Sequence, residues 1–246
     1  MDALLTTAAS GLRARMESLD MLANNLANAT SSGFKADREY YSTYIAPEAL
    51  DGPQGTLPVT SPVIEKNWID FAQGNLTPTG NSLDFSLQGA GFFVVDSAGG
   101  AIYTRNGNFR LNSGGYLVTQ SGDSVRGAGG KPIRLNPDLP VTLDAQGAIR
   151  QDGQLVGRFA IVDFEDRSGL TKAGTTYFRY EGVPKTSSPV DTKVEQGRLE
   201  ATNYQPAEAA IRLVSVLRQF ETLQRAIALG TEMNRRAVED VARVKE

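Results

Sequence analysis

The densest group of residues able to do chemistry is Asp163, Glu165 and Asp166. Two carboxylates at the end of a strand suit acid/base work on a glycosidic bond, and three suit an oxygen-ligated calcium ion. The same residues ahead of Ser168-Gly169 also make an ordinary acidic turn, and no second cluster is recognisable to complete a cleft, so the residues favour the turn. Gly127-Ala128-Gly129-Gly130, with Lys131 after it, is a second candidate. A phosphate cradle needs a strand before it and a helix after it. Here Pro132 and a strand pattern follow, which makes the segment a loop. Gly89-Ala90-Gly91 fails the same test, because Phe92-Phe93 continues as a strand.

Composition closes off wider chemistry. The 246 residues include no cysteine and no histidine. Disulfides, thiolate metal sites, the usual zinc sites and a Ser-His-Asp triad cannot be built. The net charge of −3 leaves no basic surplus for nucleic acid. No cofactor, catalytic or metal site is expected, and the chain is not expected to be an enzyme. No stretch approaches the length of a membrane span, and the opening Met1-Asp2-Ala3 lacks the pattern of a cleaved secretory signal.

What remains is a pattern for association. Leu5, Leu12, Leu19 and Leu26 recur every seven residues, with Ala9, Met16 and Ala23 four positions after the first three. They form a narrow apolar seam on a helix over 1–30, predicted to end near Thr30-Ser31-Ser32-Gly33, where glycine takes a left-handed cap. Asn24, Asn25 and Asn28 are poor interior helix formers. They read either as hydrogen-bonding contacts to a neighbouring helix or as the frayed, capped end of their own. At the other end, after Pro206, Leu213, Phe220, Ile227 and Val241 share one heptad line with Asn234 as its polar member. Val216, Leu223, Gly230, Ala237 and Val244 form the second line. A single asparagine in such a seam sets register at some cost in stability.

Between the helices, Pro47, Pro53, Pro58 and Pro62 with Gly52 and Gly55 predict extended chain. From 75 onward short strands alternate with turns. Leu83, Phe85 and Leu87 alternate with polar residues, Phe92-Phe93-Val94-Val95 is a strand, and Asn106-Gly107 between Tyr103-Thr104-Arg105 and Asn108-Phe109-Arg110 predicts a two-residue hairpin. Further turns fall at Ser113-Gly114-Gly115, Gly122-Asp123, Gln146-Gly147 and Asp152-Gly153, and 158–164 and 175–180 are the last strands expected. The fold class is α+β: a discontinuous helical coiled-coil domain, made of both chain ends, flanks a central all-β domain. The expected divisions are an N-terminal helix over 1–34, an extended linker over 35–74, the β domain over 75–195 and a C-terminal helix over 196–246. Residue pattern alone leaves three readings open: a self-associating subunit, a binding module or carbohydrate-active enzyme on a coiled-coil stem, and a simple helical hairpin.

Specific strings narrow this. Ala23-Asn24-Asn25-Leu26-Ala27-Asn28-Ala29-Thr30-Ser31-Ser32-Gly33-Phe34-Lys35 resembles the N-terminal signature of flagellar rod and hook proteins. Gly197-Arg198-Leu199-Glu200-Ala201-Thr202-Asn203 resembles the segment leading into their C-terminal helix. The runs 74–85, 89–95, 103–109 and 115–119 resemble the start of their β domain, in the family's order. Length and the opening Met1-Asp2 look like the proximal rod members, with the distal rod members as the alternative. Tyr204-Gln205-Pro206 departs from the usual valine-asparagine pattern.

The resemblance implies a structural subunit of the bacterial basal-body rod, exported by the flagellar type III apparatus without a cleaved signal. It implies assembly in the periplasm with itself and other rod subunits, without membrane insertion. Leu5, Leu12, Leu19, Leu26, Asn24, Asn25 and Asn28, with Leu213, Phe220, Leu223, Ile227 and Asn234, are the expected assembly residues. The terminal seams are expected to be poorly ordered until neighbours bury them.

Overall fold

A computed structural model describes residues 3–45, 60–144, 146–189 and 191–243, with the side chains of 3–7, 40–45, 60–66, 237 and 240–243 outside that description. Two helices bracket a β-rich middle. Helix α1 runs Ala3–Ala27. Strands β1 (Asp37–Ile45) and β2 (Thr60–Ile69) form an antiparallel ribbon with a bulge at Tyr40/Tyr41, and Pro62 sits opposite Thr43. In a two-stranded ribbon both strands are edges, and an edge tolerates a proline.

The short strands follow as β3 (Leu76–Pro78), β4 (Phe85–Gln88), β5 (Phe92–Ser97), β6 (Gly100–Thr104), β7 (Phe109–Leu111), β8 (Leu117–Thr119) and β9 (Ser124–Val125). Then come β10 (Val141–Leu143), β11 (Ala148–Gln151), β12 (Gln154–Arg158), β13 (Ile161–Phe164), β14 (Leu170–Lys172) and β15 (Tyr177–Tyr180). The series ends with β16 (Thr186–Ser187), β17 (Lys193–Gln196) and β18 (Arg198–Glu200). Helix α2 runs Pro206–Arg243, its proline in the first turn, where no N–H partner is lost.

The chain divides into two compact units. The first holds α1, the β1–β2 ribbon and α2; the second holds 28–36 and 70–204. In the second unit the main sheet runs β14-β15-β6-β5-β9-β8-β7, with β13 on β5. β5 lies at its centre and is buried on both faces, as the run Phe92-Phe93-Val94-Val95 requires. Strand alternation sends Phe93 into one cluster, 5.4 Å from Phe109 and 5.2 Å from Phe159, with Phe85, Leu117 and Ile149 completing that core. Phe92 points the other way, edge-on to Phe71 and Phe178 at 5.5 and 5.7 Å.

Several expectations need correction. Asn106-Gly107 is not a hairpin: β6 pairs with β5 and β15, and β7 pairs with β8. Gly107 is needed for close approach instead, since a Cβ there would fall 1.8 Å from the Phe85 carbonyl oxygen. A two-residue hairpin of that type lies at Asp152-Gly153 instead, where both residues take positive φ (48° and 75°), as a type I′ turn demands. Gly33 does take a positive φ, but it lies six residues past the end of α1 and does not cap it. Residues 193–200 are strands: β17 pairs with β4, and β18 with β3. Both terminal helices are already formed and pack against each other in the single chain, which replaces the expectation of disorder before assembly.

The acidic segment is a turn. Arg167 chelates Asp163 through both of its carboxylate oxygens, and Asp166 caps the Ser168 N–H. The glycine-rich loop closes with Gly130 N–H donating to the Gly127 carbonyl and Gly127 N–H to that of Lys131.

Candidate assembly surface and buried ionic junction

In the first unit, α1 and α2 lie together with the ribbon against α1. The heptad leucines of α1 do not lie at the centre of its buried side. Gly11, Ala14, Ser18, Met21, Leu22 and Asn25 are buried, while Leu12, Leu19 and Leu26 are half-buried. The buried line runs one residue ahead of each leucine, about 100° round the helix. Small residues on that line let α2 and the ribbon approach closely. The leucines become the flank of the interface, and beyond them Ala9, Met16 and Ala23 are exposed. Leu5 lies on the same face of α1, with its side chain outside the described residues.

On α2 the predicted lines match burial more closely. Ala209 and Val216 are buried; Leu213, Phe220, Leu223, Ile227 and Gly230 are half-buried. Asn234 and Val238 are exposed, because α2 outruns its partner: 38 residues against 25. At 1.5 Å per residue the excess is roughly 20 Å. Away from α1, α2 also exposes apolar side chains among its charged ones, with Ile211 73%, Leu229 66% and Met233 70% exposed. The overhang is laced by charge pairs, Arg235 to Glu232 and Glu239, and Arg236 to Glu232. A groove of about 370 Å³ between α1 and α2 is lined by Arg15, Arg218, Gln219, Thr222 and Leu223. Arg212 reaches from α2 to pair with Glu39 of β1.

Asn25 spends both halves of its amide inside its own chain, donating to the Asp37 carbonyl (2.9 Å) and accepting from the Asp37 N–H (3.0 Å). Asn24 is exposed and Asn28 half-buried.

The second unit holds a feature the sequence did not reveal. The Glu200 carboxylate is fully buried and takes three donors: Lys35 Nζ at 2.6 Å, the Gly74 N–H at 3.0 Å and Arg105 Nη1 at 3.3 Å. Lys35 also donates to the Ala72 carbonyl at 2.6 Å. The Arg105 guanidinium lies 5.3 Å from the centre of the Phe92 ring. Burial pulls the Lys35 ammonium below its ordinary range, against the opposing pull of Glu200. Burial likewise lowers Arg105, with Glu200 again opposing. Two cations and one anion are thus shut away from water.

The backbone closes round this group. Gly33 N–H donates to the Glu200 carbonyl at 2.7 Å, and a Cβ on Gly33 would fall 2.3 Å from the Asn106 nitrogen. A Cβ on Gly74 would fall 1.9 Å from the Ala201 carbonyl oxygen. Lys35, Gly74, Arg105 and Glu200 come from four of the strings that carried the resemblance. The one signal available in sequence was charged residues inside otherwise apolar or turn-forming strings.

Residues 5–35 match the family model of the flagella basal body rod protein, and residues 86–156 that of the flagellar hook protein FlgE/F/G D1 domain. A flagellar basal-body rod protein FlgF of Caulobacter vibrioides is 36% identical over 229 residues, covering 92% of each chain. This chain belongs to the flagellar basal-body rod protein family. A FlgF of Mesorhizobium japonicum is 34% identical, covering 88% of each chain. A FlgG of Buchnera aphidicola is 27% identical, covering 91% of this chain and 94% of the relative. The chain is a structural rod subunit, and its likeness runs higher to these FlgF relatives than to the FlgG one. Rod-protein membership fits a molecule whose apolar excess lies on its terminal helices. No helix among the described residues is long and apolar enough to cross a membrane.

Proposed function

We propose that the chain polymerises through its terminal helices into the proximal part of the rod and carries torque there as a non-enzymatic subunit. The observation that carries this is a set of exposed apolar side chains on the side of α2 away from α1, set among charged ones. Large apolar side chains grouped on an exposed helix side mark a surface for association. Ile211, Leu229 and Met233, the overhang near Val238 and the exposed Met16 flank of α1 are the surfaces left for other copies. Fully burying each such side chain contributes about 1.5–3 kcal/mol, so a handful per subunit suffices to hold a lattice. Unlike surfaces joined head to tail give an open helix when the rotation does not close, which is the geometry a rod needs.

In this reading Leu5, Leu12, Leu19 and Leu26 with Leu213, Phe220, Leu223 and Ile227 form a coiled-coil seam whose flanks neighbours complete. Asn24, Asn28 and Asn234 are polar contacts at those flanks. The partners are copies of this chain and other rod subunits, reached in the periplasm after export without a cleaved signal. The FlgG likeness keeps the distal rod as the second reading.

Changing both Leu229 and Met233 to Asp tests the surface. Both are exposed, so the single chain is expected to fold and melt normally while basal bodies lack the rod and cells do not swim. Motile cells with complete basal bodies would overturn the proposal. Micrographs of basal bodies from a deletion strain, with the rod missing from its proximal or its distal part, separate the two readings.

A further inference from the structure

Asn106-Gly107 is the chain's one Asn-Gly pair. Such a pair is reactive wherever its backbone is free to turn. The Gly107 nitrogen, once its proton passes to hydroxide, attacks the Asn106 side-chain carbon Cγ. An N–Cγ bond forms, the Cγ–Nδ2 bond breaks, and the side-chain nitrogen takes a proton from water and leaves as ammonia. Water then opens the succinimide ring. Opening at Cγ gives aspartate. Opening at the main-chain carbonyl gives isoaspartate, whose backbone runs through the former side chain and is longer by a methylene. Glycine favours the closure, because it has no Cβ to shield the attacking nitrogen and its backbone turns freely.

Packing dictates the glycine. A Cβ at 107 would meet the Phe85 carbonyl oxygen, so no other residue fits. The fold thereby requires, next to Asn106, the residue that leaves an asparagine most open to cyclisation.

Once folded, the chain holds the pair still. The Asn106 N–H donates to Thr104 Oγ1 at 3.0 Å, and Asn106 Oδ1 accepts from the Asn108 N–H at 3.0 Å. The Gly107 carbonyl accepts from the Phe85 N–H at 3.0 Å, and Gly107 is buried. Ring closure must pull the Asn106 side chain off the Asn108 N–H and turn the peptide between 106 and 107, which is tied on both sides. The two products differ in fit. Asn106 Nδ2 donates to no group among the described residues, so an aspartate there loses no hydrogen bond and keeps the acceptor for Asn108. Isoaspartate inserts a backbone atom where Phe85 and Gly33 already crowd the chain too closely for a Cβ.

We propose that Asn106-Gly107 is a spontaneous modification site that the fold keeps closed: the unfolded chain deamidates there, and the isoaspartyl product folds back far less stably. A chain that stays unfolded for long becomes poorer at folding.

Trypsin cuts after Arg105 and Arg110, which releases the pair in the peptide 106–110. The purified full chain is held at mildly alkaline pH, folded in buffer or unfolded in guanidinium chloride. Chromatography with mass spectrometry then separates the asparagine, aspartate and isoaspartate forms of that peptide. Conversion is expected to run at least about tenfold faster in the unfolded chain than in the folded one. Equal rates overturn the closure by the fold, and an unfolded chain that keeps its asparagine overturns the site. The aged chain is next refolded just below the denaturation midpoint of the fresh chain, where a small loss of stability decides which molecules fold, and the folded monomer is collected. Its isoaspartate share is expected to fall about tenfold below that of the unfolded pool, the scale of an overpacked core, while its aspartate share stays within about twofold. An undiminished isoaspartate share overturns the refolding block. Equal depletion of both products also overturns it, since the site would then be refusing charge and not backbone length. Both readouts use the parent chain, so neither depends on a variant that folds.

Discussion

Replacing Glu200 by Gln is the sharpest perturbation available. The side chain keeps its shape and an acceptor oxygen but loses its charge. Lys35 and Arg105, with side chains 0% and 3% exposed, are then left without a counter-ion. Removing one partner of a buried pair costs about 3–5 kcal/mol, because the other charge stays desolvated. Here two charges are stranded, so the upper part of that range is expected. Domains hold only about 5–15 kcal/mol of stability in all, so the variant should be close to unfolding at body temperature.

Lys35→Met should cost less, since Glu200 keeps Arg105 and the Gly74 N–H. Combining the two changes should cost less than their sum by about 1–3 kcal/mol, as expected of groups sharing one network. The assay is chemical denaturation followed by far-UV circular dichroism or by exchange of β5 amides. Fluorescence of Trp68 would mislead, because the chain's only tryptophan lies in the helical unit. A Glu200→Gln protein within about 1 kcal/mol of the parent would refute the claim that the junction is closed to water and held by that carboxylate.

Gly107→Ala should cost at least about 3 kcal/mol, because its Cβ meets a backbone oxygen that cannot swing aside; Gly153→Ala, strained at positive φ but facing open space, should cost about 1–2 kcal/mol in the same denaturation assay. Leu19→Asp and Phe220→Asp should each leave the β unit folded by exchange of its sheet amides while abolishing rod assembly, and swimming cells would count against the seam. Stability should also depend on Lys35 at alkaline pH. Its folded value lies below the ordinary 10.5, so between the two the unfolded chain binds more protons and stability rises with pH. Tyr103, raised above 10.0 by burial, works the other way and lowers stability as pH passes 10.0. Lys35→Met should remove the rise and keep the fall in a series of denaturation midpoints; an unchanged profile would mean that Lys35 is not the group responsible.

The periodic parts of the chain were legible and the compact parts were not. Heptad spacing located both helices, and alternation located the Phe92–Val95 strand, since these patterns are written in consecutive residues. The same spacing misplaced the inner face of α1. An apolar stripe wide enough for two partners does not say which flank meets the nearer one, and here Gly11, Ala14 and Ser18 turned inward because small residues let backbones approach. Asn106-Gly107 carried a hairpin composition, yet Gly107 exists for contact with Phe85, and glycine used for space cannot be told from glycine used for φ without the neighbour. Lys35 and Glu200, 165 positions apart, gave no local sign of each other.

That separation bears on how the subunit completes itself. Four of the strings that carried the resemblance meet at one buried carboxylate, through Lys35, Gly74, Arg105 and Glu200. The junction is specified by charge, donor count and two glycines, Gly33 and Gly74, whose missing Cβ atoms make room for backbone. Contacts between residues so far apart in sequence form late, because the loop between them must close first. Residues 28–36 therefore lack a socket until β18 is in place, and β18 lies only six residues ahead of α2. Without β18, Lys35 lacks the carboxylate that neutralises it. The second unit's buried carboxylate thus draws its donors from positions 35, 74 and 105, so the segment after α1 and the segment before α2 are tied into one core.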